Sequence, residues 1–126
     1  MPYQQIQIGK SDFVAELATT LPEQIQGLSG RSGMRDDQGL LFVYNSSAVR
    51  SFWMKDMYFD IDIIMVDENN KVVQIFKDLP APEGIVFSLP KYTSDVPFVY
   101  ALEVKAGASN NIQKGDQLVF KSEIIN

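Results

Sequence analysis

From Tyr3 onward, apolar and polar residues alternate in short runs divided by turn-forming residues, which is the signature of β-strands. Tyr3 to Ile8 and Phe13 to Ala18 read as two strands joined by Gly9-Lys10-Ser11-Asp12. Gly39 to Tyr44 is nearly all apolar, as expected of a strand covered on both faces. Val49 to Met57 and Tyr58 to Asp67 are further expected strands. In the second of these, Phe59, Ile61, Ile63 and Met65 share one face, while Tyr58, Asp60, Asp62, Ile64 and Val66 share the other. Glu68-Asn69-Asn70-Lys71 supplies a hairpin turn into Val72 to Phe76. A proline-punctuated connection from Leu79 to Pro97 precedes strands at Phe98 to Ala106 and Gln117 to Ile125, with a turn from Gly107 to Lys114 between them.

One segment departs from this period. Thr20 with Glu23 three residues later forms a T-x-x-E capping box, and Pro22 suits a first helical turn. Leu21, Ile25 and Leu28 then fall on one face before Gly27 and Gly30 end the helix. Some eight strands with a single short helix predict a mainly β fold, an antiparallel sandwich or barrel. No repeat, linker or low-complexity tract divides the chain, so residues 1–126 are expected to form a single domain.

The alternation also exposes its own exceptions. Asp62 stands between Ile61 and Ile63, Glu103 between Leu102 and Val104, and Lys55 follows Phe52-Trp53-Met54. An ionised group buried without a partner costs several kcal/mol, so each of these must meet an opposite charge, water or a cleft. Lys55 with Asp62 or Glu103 is the pairing that strand adjacency suggests. Trp53, the sole tryptophan, shares the strand face of Lys55, and an aromatic wall beside a cation suits a saccharide or a carboxylate. Asp56, Asp60, Asp62 and Asp67 form a local acidic group, but alternation sends Asp67 away from Asp60 and Asp62, and no calcium-loop pattern is present. Asn45-Ser46-Ser47 fits a glycosylation sequon, which is too short a pattern to carry weight.

Composition narrows the chemistry. The 126 residues contain no histidine and no cysteine, which removes Ser-His-Asp and Cys-His nucleophile systems, nitrogen- or sulfur-ligated zinc, and iron–sulfur clusters. No metal site and no cofactor are expected. Eleven basic against 16 acidic residues give a net charge of -5, and the lysines are scattered, so nucleic acid is not an expected partner. No apolar run is long enough to span a membrane, and the segment after Met1 lacks the basic and apolar regions of a signal peptide.

The succession Glu23, Gly27-Leu28, Arg31, Gly39 to Tyr44, Phe52-Trp53-Met54-Lys55, Asp62-Ile63, Ala101-Leu102-Glu103-Val104, Ala106-Gly107 and Gly115-Asp116 resembles the domain-of-unknown-function family 192, in order from about Phe13 to about Phe120. The resemblance implies a small, jelly-roll-like β domain with a short helix, found mostly in prokaryotes and often behind a signal peptide or membrane anchor, with no established activity. An extracytoplasmic or cell-envelope location follows if a leader was removed, and a cytoplasmic one otherwise. Family members carry asparagine-threonine where this chain has Asp56-Met57, proline where it has Asp60, and methionine where it has Ser29. The polar positions carried over are Glu23, Arg31, Lys55, Asp62 and Glu103, with Trp53 as the aromatic.

Together these readings lead to a binding module for a small polar ligand or saccharide, using Trp53, Lys55, Asp62, Glu103, Arg31 and Glu23. The alternatives are a carboxylate-dependent hydrolase or lyase built on Asp62 and Glu103 with Lys55 as stabiliser, and a purely structural accessory domain.

Overall fold

A computed structural model describes residues 2–84 and 87–121. The strands are β1 (Tyr3–Ile8), β2 (Ser11–Ala18), β3 (Gln38–Ala48), β4 (Ser51–Phe52), β5 (Ile61–Val66), β6 (Val72–Leu79), β7 (Tyr92–Thr93), β8 (Phe98–Lys105) and β9 (Leu118–Phe120), with helix α1 at Leu21–Gln26. Seven strands form one sheet in the order β6-β5-β8-β3-β2-β1-β9, and β4 with β7 makes a separate two-stranded ribbon. Of the expected last strand, Leu118 to Phe120 is observed; residues 122–125 lie outside the described residues.

The fold is mainly β with one very short helix, as the patterning predicts. Of the expected antiparallel sandwich or barrel, jelly-roll-like, the structure shows a single curled half-barrel sheet. One pair is also parallel rather than antiparallel: β2 and β3 run in the same direction, Val14 opposite Gln38 through Ala18 opposite Phe42. Parallel neighbours need a crossover connection, and the stretch from Thr19 to Asp37, which contains α1, supplies it. The sheet curls until its outer strands approach at one end. There Val72 N–H donates to the Asp116 carbonyl at 2.9 Å, Gly115 N–H to the Val72 carbonyl at 2.9 Å, and Leu118 N–H to the Asn70 carbonyl at 2.8 Å.

Each face of this sheet carries its own apolar cluster. Inside the curl lie Ile6, Ile8, Phe13, Leu41, Ile64, Val66, Leu102 and Val104, closed by Ile112. On the outer face Leu40, Phe42, Ile61, Ile63, Met65, Phe98 and Ala101 pack under Leu28, Met54 and Met57. β5 is therefore buried along its whole length, one set of alternate residues in each cluster. Gly39 suits this packing, because a Cβ there would lie 2.6 Å from Leu102 Cδ1 and the buried leucine would have to shift.

Two local expectations change. The strand predicted over Val49 to Met57 ends at Phe52, opposite Tyr92, the first residue of its two-residue partner β7; the chain then turns, with Met57 N–H donating to the Met54 carbonyl at 3.2 Å and Asp56 at φ 59°. That turn sends Met54 and Met57 into the outer cluster and leaves Trp53 and Lys55 exposed. The capping box forms as read: Thr20 Oγ1 accepts from Glu23 N–H at 3.3 Å, and Glu23 Oε1 accepts from Thr20 N–H at 3.1 Å. The apolar face of α1 is only partly covered, however. Leu28 is buried, while Leu21 and Ile25 are 68% and 72% exposed.

Candidate functional site

The side of the sheet on which α1 lies holds a cleft of about 520 Å³ between the helix and the segment that follows β3. Leu21, Ile25, Leu28 and Trp53 form its rim and one wall, and Phe42, Tyr44 and Phe52 the other. Gln24 fixes the helix against the sheet: its side-chain amide donates to the Ala18 carbonyl at 3.1 Å and the Val43 carbonyl at 2.9 Å, so α1 is tied to both β2 and β3. Arg50 fixes the opposite wall. Its guanidinium donates to the carbonyls of Ser46 at 2.7 Å, Ala48 at 3.4 Å and Phe98 at 2.8 Å, and lies 3.8 Å over the Tyr44 ring. These bonds stabilise the place where β3 loses register with β8, between Val43 and Ala48.

Glu103 is at the floor. It lies opposite Leu40 on β3 and Ile63 on β5, and so projects among the outer cluster, 7% exposed. Every fully buried side-chain nitrogen and oxygen among the described residues has a hydrogen-bond partner. The Glu103 carboxyl has none, so its oxygens reach the cleft rather than being sealed beneath it. Burial pushes its pKa up to about 8, which keeps it a neutral acid at pH 7. The Tyr44 hydroxyl is pushed up to about 12, first by burial and, with the opposite effect from Arg50, also by Glu103. Gly27 ends the helix beside this floor at φ 51°, a conformation that favours glycine, with its Cβ position in ordinary contact distance of the Phe42 ring, 3.5 Å, and Glu103 Oε1, 3.8 Å.

A second, adjoining hollow of about 610 Å³ shares Trp53 and Met57 with the first and is lined by Lys55, Tyr58, Phe87 and Lys91 among others. Lys55 Nζ stands 5.4 Å from the Trp53 ring centroid. The ion pairs among the described residues are Arg31–Glu16, Arg35–Asp37 and Lys105–Asp36, so Lys55 meets neither Asp62 nor Glu103.

The remaining sequence-selected residues make their contacts within the frame. Asp62 lies opposite Val104, on the other face of the sheet from Glu103, and the two carboxylates share no cleft. Asp62 is fully buried, with Oδ1 accepting from Asp78 N–H at 2.9 Å and Oδ2 from Gly107 N–H at 3.1 Å, Ser109 N–H at 3.2 Å and Ser109 Oγ–H at 2.6 Å. It thus ties the end of β6 to the turn after β8. Arg31 makes a two-pronged pair with Glu16 at 2.9 and 2.7 Å, which holds the Glu16 carboxyl below its ordinary range. Glu23 is occupied by the backbone N–H groups of Thr19 and Thr20, which lower its pKa. The aspartate group is dispersed: Asp60 accepts from Ala81 N–H, and Asp67 from the N–H groups of Asn69 and Lys71. Among the described residues no cluster of acidic side chains is arranged to hold a metal ion.

The pattern of residues that builds this sheet and its cleft matches the sequence profile of DUF192, described as "Uncharacterized ACR", over residues 4–120. The chain belongs to DUF192. Two solved structures are similar to this DUF192 chain. A protein of unknown function from Novosphingobium aromaticivorans DSM 12444 is 24% identical, with TM-score 0.84 over 93% of this chain and 84% of that one. A "putative transcription regulator" from Sinorhizobium meliloti 1021 is 25% identical, with TM-score 0.83 over 94% and 93%. No curated protein matches the chain. The DUF192 positions noted above therefore divide by location: Trp53 and Glu103 line the cleft, Lys55 borders the hollow beside it, and Glu23, Arg31 and Asp62 stabilise the frame. Arg50 and Tyr44 belong to the cleft and carry no local sequence signal, since their role depends on the register shift of β3 against β8.

Proposed function

We propose that this DUF192 chain is a binding domain for a small ligand that has an apolar body and one polar end. The observation that supports this is Glu103: a carboxyl at the floor of an apolar cleft, with no partner among the described residues and access to the opening. Proteins rarely retain a polar group in that state unless it has a use, because desolvation without a hydrogen bond is unfavourable. The cleft volume falls within the roughly 300–1,000 Å³ typical of small-molecule sites. Placement of Asp62 and Glu103 on opposite faces argues against the paired-carboxylate hydrolase or lyase.

A saccharide stacked on Trp53 is the second reading, favoured by an indole that is 53% exposed beside Lys55. Trp53, as the sole tryptophan, reports on both. Its emission, together with amide NMR shifts along α1 and β8, is to be followed against small amines, alcohols, carboxylates, glucose and N-acetylglucosamine. Saturable change centred on Leu28 and Glu103 supports the cleft, and change confined to Trp53 and Lys55 on sugar addition supports the saccharide. No saturable change with any compound overturns the binding reading.

A further inference from the structure

We infer that the cleft over Glu103 takes a cationic amine with an apolar body, its ammonium group seated against the Glu103 carboxylate. This assignment rests on the binding reading above and adds the chemical class of the ligand.

The polar groups around the cleft differ in how far they are already engaged, and Glu103 is the least engaged of the charged ones. The amide donors of Gln24 and Gln26 are spent on the carbonyls of Ala18, Val43 and Ser29. The Ser29 hydroxyl donates to the Lys55 carbonyl at 2.9 Å, and Ser51 is joined to Thr93. Arg50 donates to three carbonyls. Three of the five Arg50 N–H groups are thus held on the cleft wall, away from the Glu103 floor. The group at the floor with no partner among the described residues is the Glu103 carboxyl, which becomes a pure acceptor once it gives up its proton, with the Tyr44 hydroxyl and Trp53 indole beside it. The complement of an unpaired carboxyl in low dielectric is a cation that donates hydrogen bonds. The walls suit the same guest, since Phe42, Phe52 and Trp53 present aromatic surface.

The groups facing Glu103 also determine how binding depends on pH. β3 and the segment after it contribute Tyr44 and Arg50. β5 places Asp62 on the opposite face, β8 carries Lys105 outward toward Asp36, and α1 has only Glu23, which is held in its cap. None of these supplies the Glu103 carboxylate with an ion pair. Glu103 therefore enters the encounter as the acid, and the arriving ammonium displaces its proton to solvent. Affinity for an amine that stays protonated then rises with pH until Glu103 ionises unaided.

The test uses phenethylamine, 2-phenylethanol and phenylacetate, which share a ring and differ in the charge of the end group. Calorimetric titrations at pH 6, 7 and 8 are run in buffers of different ionisation enthalpy, for the natural chain and for Glu103→Gln. The expected result is selective binding of phenethylamine, tightening up to about tenfold per pH unit below the Glu103 midpoint, with release of about one proton per ligand at pH 6. Glu103→Gln removes both the slope and the preference for the cation. Equal binding of all three probes, preference for phenylacetate, or binding of phenethylamine without proton release overturns the amine assignment and leaves a cleft that binds ligands. No binding of any probe overturns the assignment as well; the broader panel above then decides whether the cleft binds at all. The natural chain's charge preference and pH slope stand as tests even if the substitution alters folding.

Discussion

Replacing Glu103 by glutamine preserves the shape of the side chain and removes its proton equilibrium. In the folded protein Glu103 holds its proton up to about 8, whereas the ordinary value, adopted on unfolding, is 4.5. Between these limits the folded state binds more protons than the unfolded state, so stability falls as pH rises. One pKa unit corresponds to about 1.4 kcal/mol, so from pH 5 to pH 8 this single group removes on the order of 3–4 kcal/mol. That is a large share of the roughly 5–15 kcal/mol typical of a domain. Glutamine has no such cost, so Glu103→Gln is expected to match the natural chain near pH 4 and exceed it by an amount that grows through neutrality. The lowered carboxyls of Glu16 and Glu23 act in a separate window, because the stability they contribute is lost only as pH falls below about 4.5. Urea denaturation of both proteins at unit intervals from pH 4 to pH 8 measures the difference. Parallel stability curves across that range would refute the argument, since they would mean that Glu103 is solvated or paired in the folded state.

Three further outcomes follow from the frame and the cleft. Asp62→Asn should destabilise the fold by about 3 kcal/mol, because an amide cannot accept from Asp78, Gly107 and Ser109 together; unchanged urea midpoints would contradict its role as a clamp. Thr20→Ala should cost about 1 kcal/mol by removing the cap of α1, seen as a lower thermal midpoint. Trp53→Ala should leave stability within about 1 kcal/mol, as expected for a largely exposed side chain, yet weaken phenethylamine binding measurably by calorimetry.

The sequence carried the strand pattern because alternation is a local property, and it carried α1 because a capping box lies within four residues. Glu103 and Asp62 were visible for the same reason: a charge between two apolar strand residues must be accounted for. Their separation was not visible. It depends on the β5–β8 register, where Asp62 faces Val104 and Ile63 faces Glu103, and a shift by one residue would have put both carboxylates on one side. Lys55 was misplaced because alternation was carried past Phe52 into a turn in which Met54 and Met57 supply the buried residues instead. Arg50 has partners as far away as Phe98, and no local pattern announces a contact of that range. The parallel β2–β3 pair looks, residue by residue, like any other strand pair, and only the crossover through α1 distinguishes it.

The state of Glu103, an acid with no partner among the described residues at the floor of the cleft, can be read at the atom itself. A carbon-13 NMR titration of the Glu103 side-chain carboxyl, with and without phenethylamine, is predicted to give a midpoint near 8 in the unliganded chain that falls when the amine binds. A midpoint at 4.5, unmoved by the amine, would mean that Glu103 is solvated or paired and holds no ammonium group.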